Sequence, residues 1–210
     1  MVVRNPQVRR RFGSHGSPAL PLPVRGGGGN VTWNPADTVN AVLSGGNLTA
    51  TFPAIGCLTR ATASHNSGKY YYECVVNSLD TGNNSPGIGV ATAALTASGN
   101  GVWFPAAGGG CVYPGPTAFT NNGAPVDLAV PFNVADVFMI AVDITAGKVW
   151  FGRAGTWTNG GDPAAGTAQN LDITAGSTYF PAMRGSSAGG TARFKQSAWS
   201  FGAPAGFSKW

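Results

Sequence analysis

The sequence predicts an all-β protein: an antiparallel β-sandwich preceded by an extended, irregular basic arm. Three observations carry that prediction. Short β-branched and aromatic runs alternate with clusters of Gly, Asn, Pro and Ser, the punctuation of an antiparallel sandwich. The 210 residues include 32 Gly and 15 Pro, and only 10% are charged. That is far from the Ala, Glu, Lys and Leu usage of helical proteins, while 43% hydrophobic residues is too apolar for a disordered chain. No window keeps a helical apolar period over several turns, so helix content should be very low. A chain of this length buries a core without needing disulfides or a metal.

Residues 1–30 read as a separate arm and linker. Arg9-Arg10-Arg11-Phe12 is followed by a Gly/Ser/Pro stretch, the segment Pro18-Ala19-Leu20-Pro21-Leu22-Pro23, and the run Gly26 to Gly29. The prolines favour polyproline II and the glycines form a flexible joint, so this region has no core of its own. It holds Arg4, Arg9, Arg10, Arg11 and Arg25 and no acidic residue, and those five account for the whole formal net charge of +5. From Val31 onward the charges balance, so the basic character belongs to the arm. Two readings stand for it: a disordered tail, or an anchor in which Arg4, Arg9, Arg10, Arg11 and Phe12 enter an acidic or carbonyl-rich groove on a protein partner. A nucleic-acid partner fits less well, because Phe12 is the arm's only aromatic residue and the domain behind it is neutral.

Within residues 31–210 the clearest element is Asp136 to Trp157. Val137 to Ile144 is an apolar, β-branched run, Thr145-Ala146-Gly147-Lys148 breaks it, and Val149-Trp150-Phe151 resumes it. A Gly-containing break between two such runs is a hairpin signal. Gly152 to Gly155 turns the chain again and delivers Trp157. Upstream, Tyr70, Tyr71 and Tyr72 alternate along a strand, which should turn at least one of them outward. Cys74, on the same strand, reads as a small buried hydrophobe, and the three cysteines Cys57, Cys74 and Cys111 lack metal spacing. Gly108 to Gly110 and Gly185 to Gly190 read as loops, with neither a following helix nor a P-loop lysine.

Ser67-Gly68-Lys69-Tyr70-Tyr71-Tyr72-Glu73-Cys74, Pro86-Gly87-Ile88-Gly89-Val90, the double hairpin at 136–157 and Tyr179-Phe180-Pro181-Ala182-Met183 occur in that order. Trp33-Asn34-Pro35 with Leu48-Thr49-Ala50 precede them, and Pro204-Ala205-Gly206-Phe207 closes the series. In this set and order the chain resembles the SPRY domain in the form carried by bacteriophage and prophage virion proteins, a jelly-roll-related sandwich, over about residues 31–210. Arg193-Phe194-Lys195-Gln196 departs from the family's Asn-Phe-Gly-like strand end, which bears on the last strand's exit turn. The resemblance implies a non-enzymatic interaction module whose loops bind mostly proteins. On phage particles, where similar domains sit on tail or capsid surfaces, it implies attachment to a host glycan or receptor.

The residues themselves offer no catalytic constellation. His15 and His65 have no Cys, Ser–Asp or HxxxH partner nearby, the few acids are scattered, and Asp143 inside the hairpin is placed to cap local backbone. No catalytic residue, metal ligand or cofactor is expected. Binding is expected of two loop regions. Trp103, Phe104 and Tyr113 lie in one, and Trp157, Asn159 and Asp162 in the other, where an aromatic face beside Asn and Asp suits a sugar ring. Trp150, between Val149 and Phe151, reads as core.

The expected whole is a capsid decoration or tail protein, present in several copies and anchored through its arm to other virion structural proteins. It would be made in the host cytoplasm, since neither a signal peptide nor a membrane-spanning segment is read in the sequence. A pure cement protein, a tail-fibre-associated receptor-binding protein and a soluble lectin-like prophage protein are the competing expectations.

Overall fold

A computed structural model describes residues 30–83, 85–95, 110–112, 117–119, 125–127 and 133–210. In chain order the strands are β1 (Trp33–Val39), β2 (Val42–Ser44), β3 (Thr49–Phe52), β4 (Cys57–Ala61), β5 (Lys69–Ser78), β6 (Gly87–Ala91), β7 (Gly110–Val112) and β8 (Thr117–Phe119). They continue as β9 (Pro125–Asp127), β10 (Val137–Asp143), β11 (Lys148–Arg153), β12 (Thr156–Trp157), β13 (Leu171–Asp172), β14 (Phe180–Gly185), β15 (Ala188–Arg193) and β16 (Ser208–Lys209). Helical structure among the described residues is limited to single 3₁₀ turns at Thr81–Asn83, Thr158–Gly160 and Gln196–Ala198. The expected all-β, almost helix-free class is what the chain adopts.

The first sheet runs β1-β4-β14-β6-β7-β8-β9, and the second β12-β11-β10-β5-β15-β3-β2 with β13 on β11 and β16 on β5. Every pairing is antiparallel except β16 with β5. Side chains alternate across the strands, and those turned inward form one core between the sheets. Cys57, Ile88, Val90 and Met183 enter it from the first sheet; Phe52, Tyr72, Cys74, Phe138, Ile140, Val142 and Phe151 enter from the second. Each large side chain buried there contributes about 1.5–3 kcal/mol of transfer free energy.

The edges are blunted. β1 carries Pro35 and an irregular register between Trp33 and Thr38, and its Thr38 hydroxyl donates to the Asn34 carbonyl at 2.7 Å. A proline and a bulge on an edge strand deny a neighbouring chain a regular ladder. At one edge of the second sheet, β2 is only three residues long.

One expectation changes here, and another holds in a form that burial alters. Gly185 to Gly190 is not a loop: Gly185 ends β14, Gly189 and Gly190 lie in β15, and only Ser186-Ser187 turn between them. Glycine is needed there for close approach, since a Cβ at Gly189 would sit 2.6 Å from the Ala50 carbonyl oxygen and one at Gly190 2.9 Å from that of Val75. One of the three tyrosines does turn outward, as expected, though none is exposed. Tyr72 faces the inter-sheet core, Tyr70 is half-buried at its border, and Tyr71 points to the outer face of the second sheet yet is fully buried.

What covers Tyr71 is the C-terminal segment. After β15, Phe194 enters the core against Trp33 and Tyr72, so the departure at 193–196 leaves the fold intact. Trp199, Phe201, Ala203 and Phe207 then pack over Tyr71, Met139, Ala141 and Trp150. β16 pairs with β5 at Tyr70 and Tyr71, beyond the part of β5 that β15 occupies, and Trp210 turns back into the core.

Glu73 fastens this cover. Its carboxylate is fully buried and accepts the amides of Ser200 at 2.7 Å and Phe201 at 2.8 Å and the Tyr71 hydroxyl at 2.9 Å; Arg193 stands 3.6 Å away. Hydrogen bonds to an ionised acceptor are the strong ones, so a single side chain ties the strand to the segment lying over it.

Candidate functional site

The expected loop residues Trp157, Asn159 and Asp162 fall at one corner of the second sheet, where the double hairpin ends. The first turn is built by Asp143, whose carboxylate accepts the Ala146 amide at 2.8 Å and pairs with Lys69 at 3.2 Å, the capping role expected of it. The second turn, Ala154-Gly155, has both residues at positive φ and returns the chain as β12, pairing Trp157 with Gly152. Gly152 decides how the indole lies. A Cβ there would come within 2.5 Å of the Met139 methyl, 2.9 Å of the Thr156 carbonyl oxygen and 3.0 Å of the Trp157 ring. Its absence lets Trp157 settle onto the sheet, half-buried, with the Tyr71 ring edge-on at 6.3 Å.

Trp157 lines a surface cleft of about 250 Å³ together with Arg153, Ala154, Thr156 and Thr158. Arg153 ion-pairs with Asp136 at 2.7 Å, and Asp136 also accepts the Asn133 amide at 2.6 Å. The cleft therefore joins an aromatic surface to a guanidinium whose charge is already matched.

The loop beyond Trp157 is fastened along its length. The Thr158 hydroxyl donates to the Phe151 carbonyl at 2.8 Å, and Asp162 and Thr167 exchange two backbone hydrogen bonds. Lys148 donates to the Gly166 carbonyl at 2.7 Å, the Trp150 indole N–H to the Thr167 carbonyl at 2.8 Å, and Asn170 accepts the Phe151 amide at 2.7 Å. Trp150 is thus the fully buried structural residue the sequence expected, holding the loop from below. Asn159 is exposed with φ 53°, a conformation asparagine tolerates well. Asp162 is also exposed, and one of its carboxylate oxygens accepts the Ala165 amide at 3.0 Å, which closes a turn. Trp157 lines the cleft, then, Asn159 sits on the 3₁₀ turn that follows, and Asp162 shapes the loop. Trp103, Phe104, Tyr113 and the arm residues Arg4, Arg9, Arg10, Arg11 and Phe12 lie outside the described residues.

Away from the corner, burial shifts several titratable groups. Burial pushes the Cys74 thiol far up, and the Cys57 thiol up against the opposing effect of the Ala54 backbone, so both stay protonated and poorly nucleophilic. Tyr71 is raised far by burial, then by its hydrogen bond to Glu73 and that carboxylate's charge. His65, which bridges to Tyr179 and stacks on Tyr70 at 3.7 Å, is lowered by burial. Among the described residues no three His, Cys, Asp or Glu side chains gather as a metal-ligand set. No helix among them is long and apolar enough to cross a membrane.

No protein-family model matches the sequence, and no curated protein matches it. Solved structures do. The SPRY domain of human HERC1 superposes with a TM-score of 0.60 at 16% identity, over 77% of this chain and 96% of that one. The TRIM65 PSpry domain gives a TM-score of 0.56 at 16% identity, over 79% of this chain and 91% of that one. The fold is that of a SPRY domain. The order of blocks read from the sequence thus names the right architecture, although so low an identity conveys the fold and nothing of a ligand.

Within this SPRY fold, sequence reasoning missed Arg153 as a wall of the cleft and Glu73 as the fastening of the outer cover. The signal for Glu73 was present, since a lone acid inside an apolar strand requires a partner when buried. For Arg153 there was none, because nothing local distinguishes it from a solvated turn residue.

Proposed function

We propose that this chain is a non-enzymatic binding module of a bacteriophage or prophage particle. Residues 1–30 anchor it to capsid or tail proteins, and the SPRY-fold sandwich, residues 31–210, presents the corner at 153–163 to a ligand on the host surface. One observation carries the reading: the division of charge. All five net positive charges lie within the first 25 residues, ahead of a domain whose eight basic and eight acidic residues cancel. A basic, proline- and glycine-rich segment suits docking into an acidic groove, and a neutral sandwich with a braced aromatic corner suits display. Many copies on a symmetric particle would turn weak individual contacts into firm attachment, so a modest site suffices.

Deleting residues 1–11 tests the anchor. The truncated chain should fold yet fail to co-sediment with purified particles; incorporation at the normal level would sink the anchoring role. Particles lacking the chain should be stable but adsorb poorly to host cells. Normal adsorption by fragile particles would favour the cement reading instead.

A further inference from the structure

We propose that the cleft at Trp157 is a saccharide site that receives one neutral sugar ring of a surface glycan. This rests on the reading of the 153–163 corner as the displayed face, and adds the chemistry of what that face takes.

Four features of the cleft select the ligand. The first is the indole itself. Trp157 is held from below by the Tyr71 ring and by the room Gly152 leaves, so stacking a ring on its open part orders little that is not already ordered. The apolar C–H face of a pyranose suits such a surface. Size is the second: about 250 Å³ falls below the roughly 300–1,000 Å³ of pockets that enclose drug-sized ligands. A single ring fits, with the rest of a glycan leading out into solvent.

Charge is the third. Arg153 is already paired with Asp136, so an anion would meet a guanidinium whose charge is largely spent, whereas hydroxyls need only donors and acceptors. The exposed Thr156 hydroxyl offers both at the wall of the cleft. The fourth is what the corner does not provide. A peptide added as a strand needs a run of open edge, but β12 is two residues long and gives way at once to a 3₁₀ turn with Asn159 at positive φ.

The experiment is isothermal titration of the full chain. The probes are neutral oligosaccharides of glucose, galactose, mannose and N-acetylglucosamine, with sialylated and galacturonate oligosaccharides beside them. At least one neutral saccharide should bind saturably, and both Trp157→Ala and Thr156→Trp should weaken it roughly tenfold or more. Thr156 is exposed, so the tryptophan fills the cleft from its rim and should leave the thermal midpoint unchanged, which separates loss of the site from loss of the fold. No saccharide binding, binding confined to the acidic probes, or binding that both variants leave intact overturns the proposal. Particle association through the arm is read independently, so any of these results leaves the anchoring reading standing.

Discussion

Along β5, Tyr72, Cys74 and Val76 point between the sheets, whereas Tyr71 and Glu73 point away from the first sheet and lie beneath the C-terminal segment. Both faces are dry, but they are closed by different means. The inner face is sealed by apolar contact with a whole opposing sheet, and removing any part of it disturbs the entire sandwich. The outer face is sealed by one segment, held by aromatic edges such as Trp199 on Tyr71 at 4.8 Å and by a single carboxylate. Such a cover can detach locally at less than the cost of global unfolding. The outer face therefore owes its burial to specific latches and the inner face to bulk packing. Trp157, at the border of the covered area, inherits its rigidity from the outer arrangement.

The comparison breaks hardest on the inner side. Phe151→Ala removes a fully buried ring between the sheets and should cost about 3–5 kcal/mol, read as a lowered urea midpoint. Glu73→Ala strips the Ser200 and Phe201 amides and the Tyr71 hydroxyl of their shared acceptor, for a loss of about 2–4 kcal/mol. Glu73→Gln keeps one acceptor oxygen, enough for the Phe201 amide and the Tyr71 hydroxyl, but sets an NH2 donor against the Ser200 amide, so it should lose part of that stability and less than alanine does. Gly152→Ala forces a methyl against Met139, Thr156 and Trp157; it should cost about 1–3 kcal/mol and shift tryptophan fluorescence.

The smallest expected effect is a pH dependence. Burial holds the His65 imidazole below its ordinary 6.5, so the unfolded chain takes up the proton more readily than the folded one. Stability should therefore fall as pH drops below about 6.5, and His65→Gln should flatten that part of the profile.

Much of the inner face was legible in the sequence, because its determinants are local. The Asp136–Trp157 hairpin announces itself through two apolar runs and a Gly-containing break; the observed strands differ in that Ile144 joins the first turn, Lys148 opens β11, and β11 runs on through Gly152 and Arg153, which shortens the second turn to Ala154-Gly155. Cys74 was placed by its neighbours on the strand. Trp150 was read as buried in the same way, but which face it takes and the rest of the outer side were not legible, because the cover comes from far along the chain: Tyr71 is capped by Trp199 and Phe201, about 130 residues later. Period-two alternation says which face a residue takes and nothing about what lies over that face. The glycines at 185–190 misled for a related reason. Their composition reads as loop, whereas their use is to let β15 approach β3 and β5 closely. Of the candidate site, Trp157 was visible as an aromatic delivered by a turn, but Arg153 became part of it only once that turn closed.

Hydrogen exchange across the full chain, wild type beside Glu73→Ala, tests the difference between the two faces most directly. In the wild type, amides at 199–209 should be protected, though less than those of β10 and β11. The variant should lose protection at 199–209 and around Trp157 while Phe138 to Val142 remain protected. Rapid exchange at 199–209 in the wild type, or uniform loss of protection throughout the variant, would contradict a separately latched outer face.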